Sequence, residues 1–307
     1  MASMSKSHRA LYAYSIHGRG RSGEVIDYVA FVQALGAAPS PLRRATIRQD
    51  EVVLLRDVRQ LGRVWELRFL SGSEQESLTL FDVENDRERD DPRSVGEIVV
   101  RPTFLYLNPE SRFVALERRR PGLSPGEIGK ALGIIGAAIG FDDDLVIELN
   151  PVTAESFNEE LEQFDRIRQA SVTVARPNYD WTENANTLTT YAAESDGQTT
   201  ELEISAPRGG SLAKERGIVQ DIKELVQRAI GPLKKVKIVG RHVGETRERT
   251  LTLARHQERQ FVPVDGNASV EDQRAQVAQG AAGLLDRLEL ATASVDPPER
   301  VSPDADA

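Results

Sequence analysis

The residues that could do chemistry form four groups. Gly18-Arg19-Gly20-Arg21-Ser22-Gly23 has the G-x-G-x-x-G spacing with which a strand-to-helix turn cradles a pyrophosphate on backbone N–H groups. The same six residues also suit a basic loop that touches a polyanion, or a plain connection. Asp142-Asp143-Asp144 could chelate a divalent cation, or form a solvated turn after a helix. Glu66-Leu67-Arg68 approaches the acid-then-E-x-K pattern in which paired carboxylates hold Mg²⁺ beside a nuclease lysine, with Arg where Lys belongs. The fourth group is cationic. Lys214, Arg216, Lys234, Lys235, Lys237, Arg241, Arg247 and Arg249 fall in one stretch, residues 211–262, where twelve Lys and Arg face six acids.

Several chemistries are excluded by absence. The chain has no cysteine, which removes thiolate nucleophiles, zinc ribbons and Cys-bound clusters. His8, His17, His242 and His256 share no metal-binding spacing, and no G-x-S-x-G occurs. No catalytic residue, metal or cofactor is therefore expected. The runner-up expectation is a nucleotide- or metal-dependent, nuclease-like enzyme using the Gly18–Gly23 loop or the acidic runs.

The elements that must position these groups can be read from periodicity. Residues 11–17 predict a strand, 24–35 a helix with apolar positions at helical spacing, and 52–58, 64–70 and 78–81 a β-meander rather than βαβ units. Residues 103–107 and 113–117 flank Asn108-Pro109-Glu110-Ser111 and predict a hairpin. Ser124-Pro125-Gly126-Glu127 is a capping box with proline at the first helical position and opens a helix over 124–139. Gly126, Gly129, Gly133 and Gly136 in that helix imply close packing, either on the lobe's own sheet or in a dimer. Further on come a strand (145–149), a polar helix (154–164), then strand 167–175, helix 180–193, strand 200–205, helix 212–230, and strands 236–240 and 249–254, a split β-α-β-α-β-β order. A helix over 270–290 follows.

The fold expected is α+β in two lobes: an N-terminal β-meander and helix lobe (1–150), a basic C-terminal lobe (151–265), a terminal helix (266–290) and a disordered acidic tail (291–307). The 307 residues carry 39 Lys and Arg against 48 Asp and Glu, a formal net charge of −9. Acids concentrate in 82–91 and 141–165, so the cationic stretch stands out against an anionic chain. With 39% hydrophobic residues the chain can bury a core. No apolar run approaches the roughly 20 residues of a membrane span, and no signal-peptide core follows the first residues, so a cytoplasmic address is expected.

Lys and Arg projecting from a rigid hairpin can neutralise phosphates without reading bases, and this segment lacks the aromatics of a single-strand platform. Duplex DNA is therefore the expected partner, with Arg19 and Arg21 of the first loop added to the eight cations above.

The chain as a whole resembles the RexA family of phage-exclusion proteins. The likeness rests on Tyr12-Ala13-Tyr14 with the Arg19–Arg21 loop, Pro102-Thr103-Phe104-Leu105-Tyr106, Arg112-Phe113-Val114-Ala115, Val146–Pro151, Ser171-Val172-Thr173-Val174 and the basic region from Lys214 to Leu253. The resemblance implies a non-enzymatic homodimer that binds DNA with little sequence preference. It further implies an infection sensor, phage- or prophage-encoded, that activates a RexB-like membrane channel partner. The chain departs from the lambda pattern in its Arg usage, its acidic C-terminus and its Gly-rich first loop.

Overall fold

A computed structural model describes residues 6–21, 26–48, 51–73, 79–82, 87–90, 98–119, 121–175, 195, 197, 199–227 and 233–293. The chain is α+β, with antiparallel sheets in two main groups. The first sheet has the order β14-β1-β8-β7-β4-β3-β2, from β1 (Lys6–Arg19), β2 (Arg44–Thr46), β3 (Glu51–Leu61), β4 (Val64–Ser73), β7 (Arg101–Asn108), β8 (Phe113–Glu117) and β14 (Arg259–Asp265). A further strand, β9 (Val146–Pro151), continues along the edge of β1 beyond β14. The strands β5 (Thr79–Asp82) and β6 (Arg87–Asp90) pair with each other and, among the described residues, with no other strand.

Helices cover both faces of this sheet. On one, α1 (Tyr28–Ala37) and α2 (Pro125–Ala138) bury Phe31, Leu35, Leu132 and Ile135 against Ile16, Leu67, Leu105 and Leu116. On the other, α5 (Val270–Ala293) buries Val277, Leu284 and Leu285 against Leu11, Tyr106 and Val264. The central strands β7 and β8 are thus enclosed on both sides, which is why 104–107 and 113–116 read as unbroken apolar runs. The capping box forms as the sequence predicts: the Ser124 hydroxyl accepts from the Glu127 amide, and the Glu127 carboxylate accepts from the Ser124 amide. Asp27 caps α1, which starts later than the periodicity suggested.

The second sheet has the order β11-β10-β12-β13, from β10 (Phe164–Ala175), β11 (Thr199–Ser205), β12 (Leu233–His242) and β13 (Arg249–Thr252). Both β11 and β12 run antiparallel to β10 between them, and α4 (Ile218–Gln227) connects them. This is a split β-α-β unit, closed by the expected β12–β13 hairpin. With α3 (Ser156–Glu162), α4 covers one face, placing Leu161, Val219 and Ile222 on Val172, Val236 and Ile238. The helix expected over 180–193 lies outside the described residues.

The boundaries at 265 and 290 differ from expectation. Arg259–Asp265 leaves the basic lobe and pairs with β1 over seven residues, and α5 packs on the same sheet, so both belong with the first lobe. The second lobe is an insertion whose two connections lie side by side: Thr153 bridges Gln257, and the Ala154 amide donates to the His256 carbonyl. Residues 291–293, expected in the tail, continue α5, where the Thr292 hydroxyl donates to the Leu288 carbonyl. Residues 294–307 lie outside the described residues.

Candidate nucleic-acid interface

The face of the small sheet turned away from α3 and α4 alternates with its core face. In β12, Val236 and Ile238 point to α4, whereas Lys235 and Lys237 point away and are exposed. Register places Thr173 beside Lys235, and Ser171 and Thr252 on either side of Lys237. Gln169 and Thr250 flank Val239 one step further. Two lysines therefore rise from a floor of hydroxyl and amide side chains, the donor types that hold phosphate oxygens. On the outer strand, Glu201 and Glu203 align with Thr173 and Ser171. They stand two strand spacings, about 10 Å, from the lysines.

The other expected cations separate into paired and unpaired groups. Lys234 donates to Glu148 on β9 at 2.6 Å, joining the two lobes. Arg241 reaches Asp165 at 3.3 Å, and Arg249 holds Glu245 with two hydrogen bonds. Lys214 donates to the Glu162 carbonyl, while a hydrogen bond from Lys223 holds the Glu162 carboxyl below its usual range. Arg21 lies 3.2 Å from Asp144. These five of the ten expected DNA-binding side chains have carboxylate or carbonyl partners within the chain itself.

Among the described residues, Arg19, Arg216, Lys235, Lys237 and Arg247 meet no carboxylate. They do not form one patch. Lys235 and Lys237 share the open face, Arg247 lies in the turn between β12 and β13, Arg216 leads into α4 on the covered side, and Arg19 ends β1 on the other sheet.

The competing chemistries meet specific obstacles. Gly18 is not a turn residue; it is paired with Ile147 inside the β1–β9 ladder. The Arg21 amide, which a pyrophosphate would need, donates to both oxygens of Asp142 at 3.1 and 3.2 Å. Asp142 packs so tightly on Gly20 that a Cβ there would overlap its carboxylate. The neighbouring sheet is antiparallel throughout, without the parallel strands of a dinucleotide fold. Ser22 and Gly23 lie outside the described residues.

The nuclease-like residues do converge: Asp57, Glu66 and Arg68 share one face of the β3–β4 hairpin. The guanidinium of Arg274 lies against both carboxylates, where a cation would bind. Among the described residues, no three His, Asp or Glu side chains are placed to hold a metal ion.

The α2 glycines are explained by close packing on the lobe's own sheet. A Cβ at Gly133 would lie 2.7 Å from the Leu145 carbonyl, and one at Gly129 would overlap the Ile147 carbonyl. The helix thereby packs directly on the backbone around Leu145–Ile147.

Sequence reasoning missed one cation group altogether. His8, Arg9, Arg101, Arg118 and Arg119 line a cleft of about 500 Å³ where β1, β7 and β8 end together. Buried Glu117 accepts from Arg119 at 2.8 Å and lies 3.8 Å from Arg9. The run Arg118-Arg119-Arg120 was a visible local signal, but its meeting with β1 and β7 was not.

No protein-family model and no curated protein matches this chain. Among the described residues, no helix is long and apolar enough to cross a membrane.

Proposed function

We propose that this protein binds double-stranded DNA through its backbone with little sequence preference, and acts without catalysis as the sensor of a RexAB-like phage-exclusion system. The observation that supports binding is the Lys235–Lys237 pair, exposed on the hydroxyl-rich sheet face turned away from α3 and α4, with no carboxylate partner among the described residues. Each phosphate neutralised there releases a counterion, and none of the described residues on the face has the shape to enter a groove and read bases. The exclusion role, the homodimer and the membrane channel partner rest on the family resemblance. With the α2 glycines used inside the lobe, they no longer speak for a dimer.

Gel shifts with random duplex over a salt series test the binding. Lys235→Glu with Lys237→Glu is expected to weaken every sequence alike, and to reduce the slope of log affinity against log salt by about 2. Wild-type affinity in that double variant would overturn the assignment. A small multi-spanning membrane protein in the adjacent reading frame is the expected genetic context of the exclusion role.

A further inference from the structure

The strand that the sequence reading left unassigned builds a second surface. In β14, Val262 and Val264 face α5, and Arg259, Phe261 and Pro263 face away and are exposed. Register sets these three beside Tyr12, Ala10 and His8 of β1. On the far side of β1, Arg118 follows Glu117 and its amide donates to the Ala10 carbonyl. The result is a three-strand strip on which aromatic rings and cations interleave.

Its geometry is specific. The Arg118 guanidinium lies over the Tyr12 ring at 5.3 Å, and that of Arg259 lies over Phe261 at 5.4 Å. Between the two pairs is Ala10, whose methyl leaves a shallow slot. Phe261 is 55% exposed, an unusual cost for an aromatic side chain on a sheet. On this face of the strip the acid by register is Asp265, at the end of the ladder opposite Lys6, whereas Glu117, paired with Leu11, belongs to the α5 face. Neither Arg118 nor Arg259 has a carboxylate partner among the described residues. The arginine cleft opens beside the slot and shares His8, Ala10 and Arg118 with it.

We propose that this strip binds single-stranded nucleic acid. Unpaired bases stack on Phe261 and on the Arg118 and Arg259 guanidinium planes, and the adjoining phosphates go to the cleft, where Arg9 and Arg119 share the single carboxylate of Glu117 and, with Arg101, keep a net positive charge. Stacking is available to every base and only to unpaired ones, so the surface tolerates any sequence yet discriminates against duplex. A flat duplex backbone would meet the ring of Phe261 instead of a donor. The inference deepens the nucleic-acid reading but uses none of the residues on the small sheet.

The test is fluorescence anisotropy of the full chain with labelled oligo-dT, oligo-rU and a random duplex of equal length. Phe261→Ala is expected to lose roughly tenfold in affinity for the single strands and none for the duplex; Phe261→Trp retains binding, and Arg118→Ala weakens it. The dT and rU arms separate DNA from RNA. Unchanged single-strand binding in Phe261→Ala would overturn the proposal, as would a loss of self-association in that variant by sedimentation, which would assign the strip to a protein interface. Duplex binding lost only in the Lys235/Lys237 variant, with Phe261→Ala silent, leaves the duplex reading standing without this strip. The opposite pattern leaves the strip standing without that reading.

Discussion

Arg274 on the last helix grips Glu66 on β4 with two hydrogen bonds, its Nε donating to Oε2 at 3.0 Å. Glu66 is 2% exposed, and the guanidinium also stacks on Phe104 at 5.2 Å and approaches Asp57 at 3.8 Å. The Glu66 hydrogen bonds raise the pKa of Arg274, which holds its charge on the guanidinium. This contact adds to the apolar packing that holds α5 on the sheet, and it places a guanidinium against the two carboxylates that could otherwise have held Mg²⁺. Arg274→Ala leaves Glu66 buried without its partner and is expected to cost about 3–5 kcal/mol in urea unfolding. Arg274→Met combined with Glu66→Met is expected to recover most of that loss, because two apolar side chains need no compensation. A small effect of Arg274→Ala would mean that Glu66 is solvated in solution.

A second buried group makes stability depend on pH. His17 shares a 2.8 Å hydrogen bond with Ser15 beneath the junction of the lobes. Burial, reinforced by the positive charges of Arg112 and Lys234, lowers its pKa to about 3. Below the ordinary value near 6.5 the unfolded chain takes up a proton that the folded chain refuses, so stability is full above that value and falls as pH drops toward 3. The expected slope from this residue is about 1.4 kcal/mol per pH unit across the middle of that window. Urea midpoints from pH 7 to 4 measure it, and His17→Gln is expected to flatten the curve. An equal slope in the variant would assign the acid sensitivity to other groups.

How legible these features were depended on the reach of their causes. Helix α2 and strands β7 and β8 were readable to within a residue or two because a capping box, a proline and a turn are local devices. Strand β14 carries Pro263, alternates exposed and buried positions, and finds its partner β1 about 250 residues earlier, so no neighbouring residue announced it. The cationic stretch was only partly legible for the same reason. Counting charge within 211–262 could not include Glu148, Glu162 and Asp165, which lie before it in sequence and neutralise Lys234, Lys214 and Arg241 in space. The open lysines were legible, since strand alternation alone separates Lys235 and Lys237 from Val236 and Ile238.

The glycines of α2 separate close packing from propensity. At Gly133 an added methyl would meet the Leu145 carbonyl at 2.7 Å, and backbone cannot swing aside as a side chain can. Gly133→Ala is expected to destabilise by about 1–3 kcal/mol. Nothing lies within 4 Å of a Cβ at Gly126, so Gly126→Ala gains helix propensity and is expected to stabilise by a few tenths to about 1 kcal/mol. Thermal melts of the two variants check the contrast. Should Gly133→Ala instead leave stability intact and change the mass measured by light scattering, those glycines would belong to a subunit contact.

The acidic edge of the small sheet gives the sharpest test of how duplex would lie. Glu201 and Glu203 stand on β11, and Lys235 and Lys237 on β12, with β10 between. At about 10 Å the acids are near one Debye length from the lysines at physiological salt, too far to neutralise them yet close enough to repel a phosphate placed across the sheet. A duplex held by the lysines must therefore lean toward β13, where Thr250 and Thr252 line the floor. Glu201→Gln with Glu203→Gln removes the repulsion and is expected to strengthen duplex binding about two- to fivefold at 50 mM salt, and less at 200 mM as screening takes over. Because the two side chains are exposed, the substitution leaves folding intact. Identical affinity at both salt concentrations would show that DNA does not approach this face, and would remove the Lys235–Lys237 assignment with it.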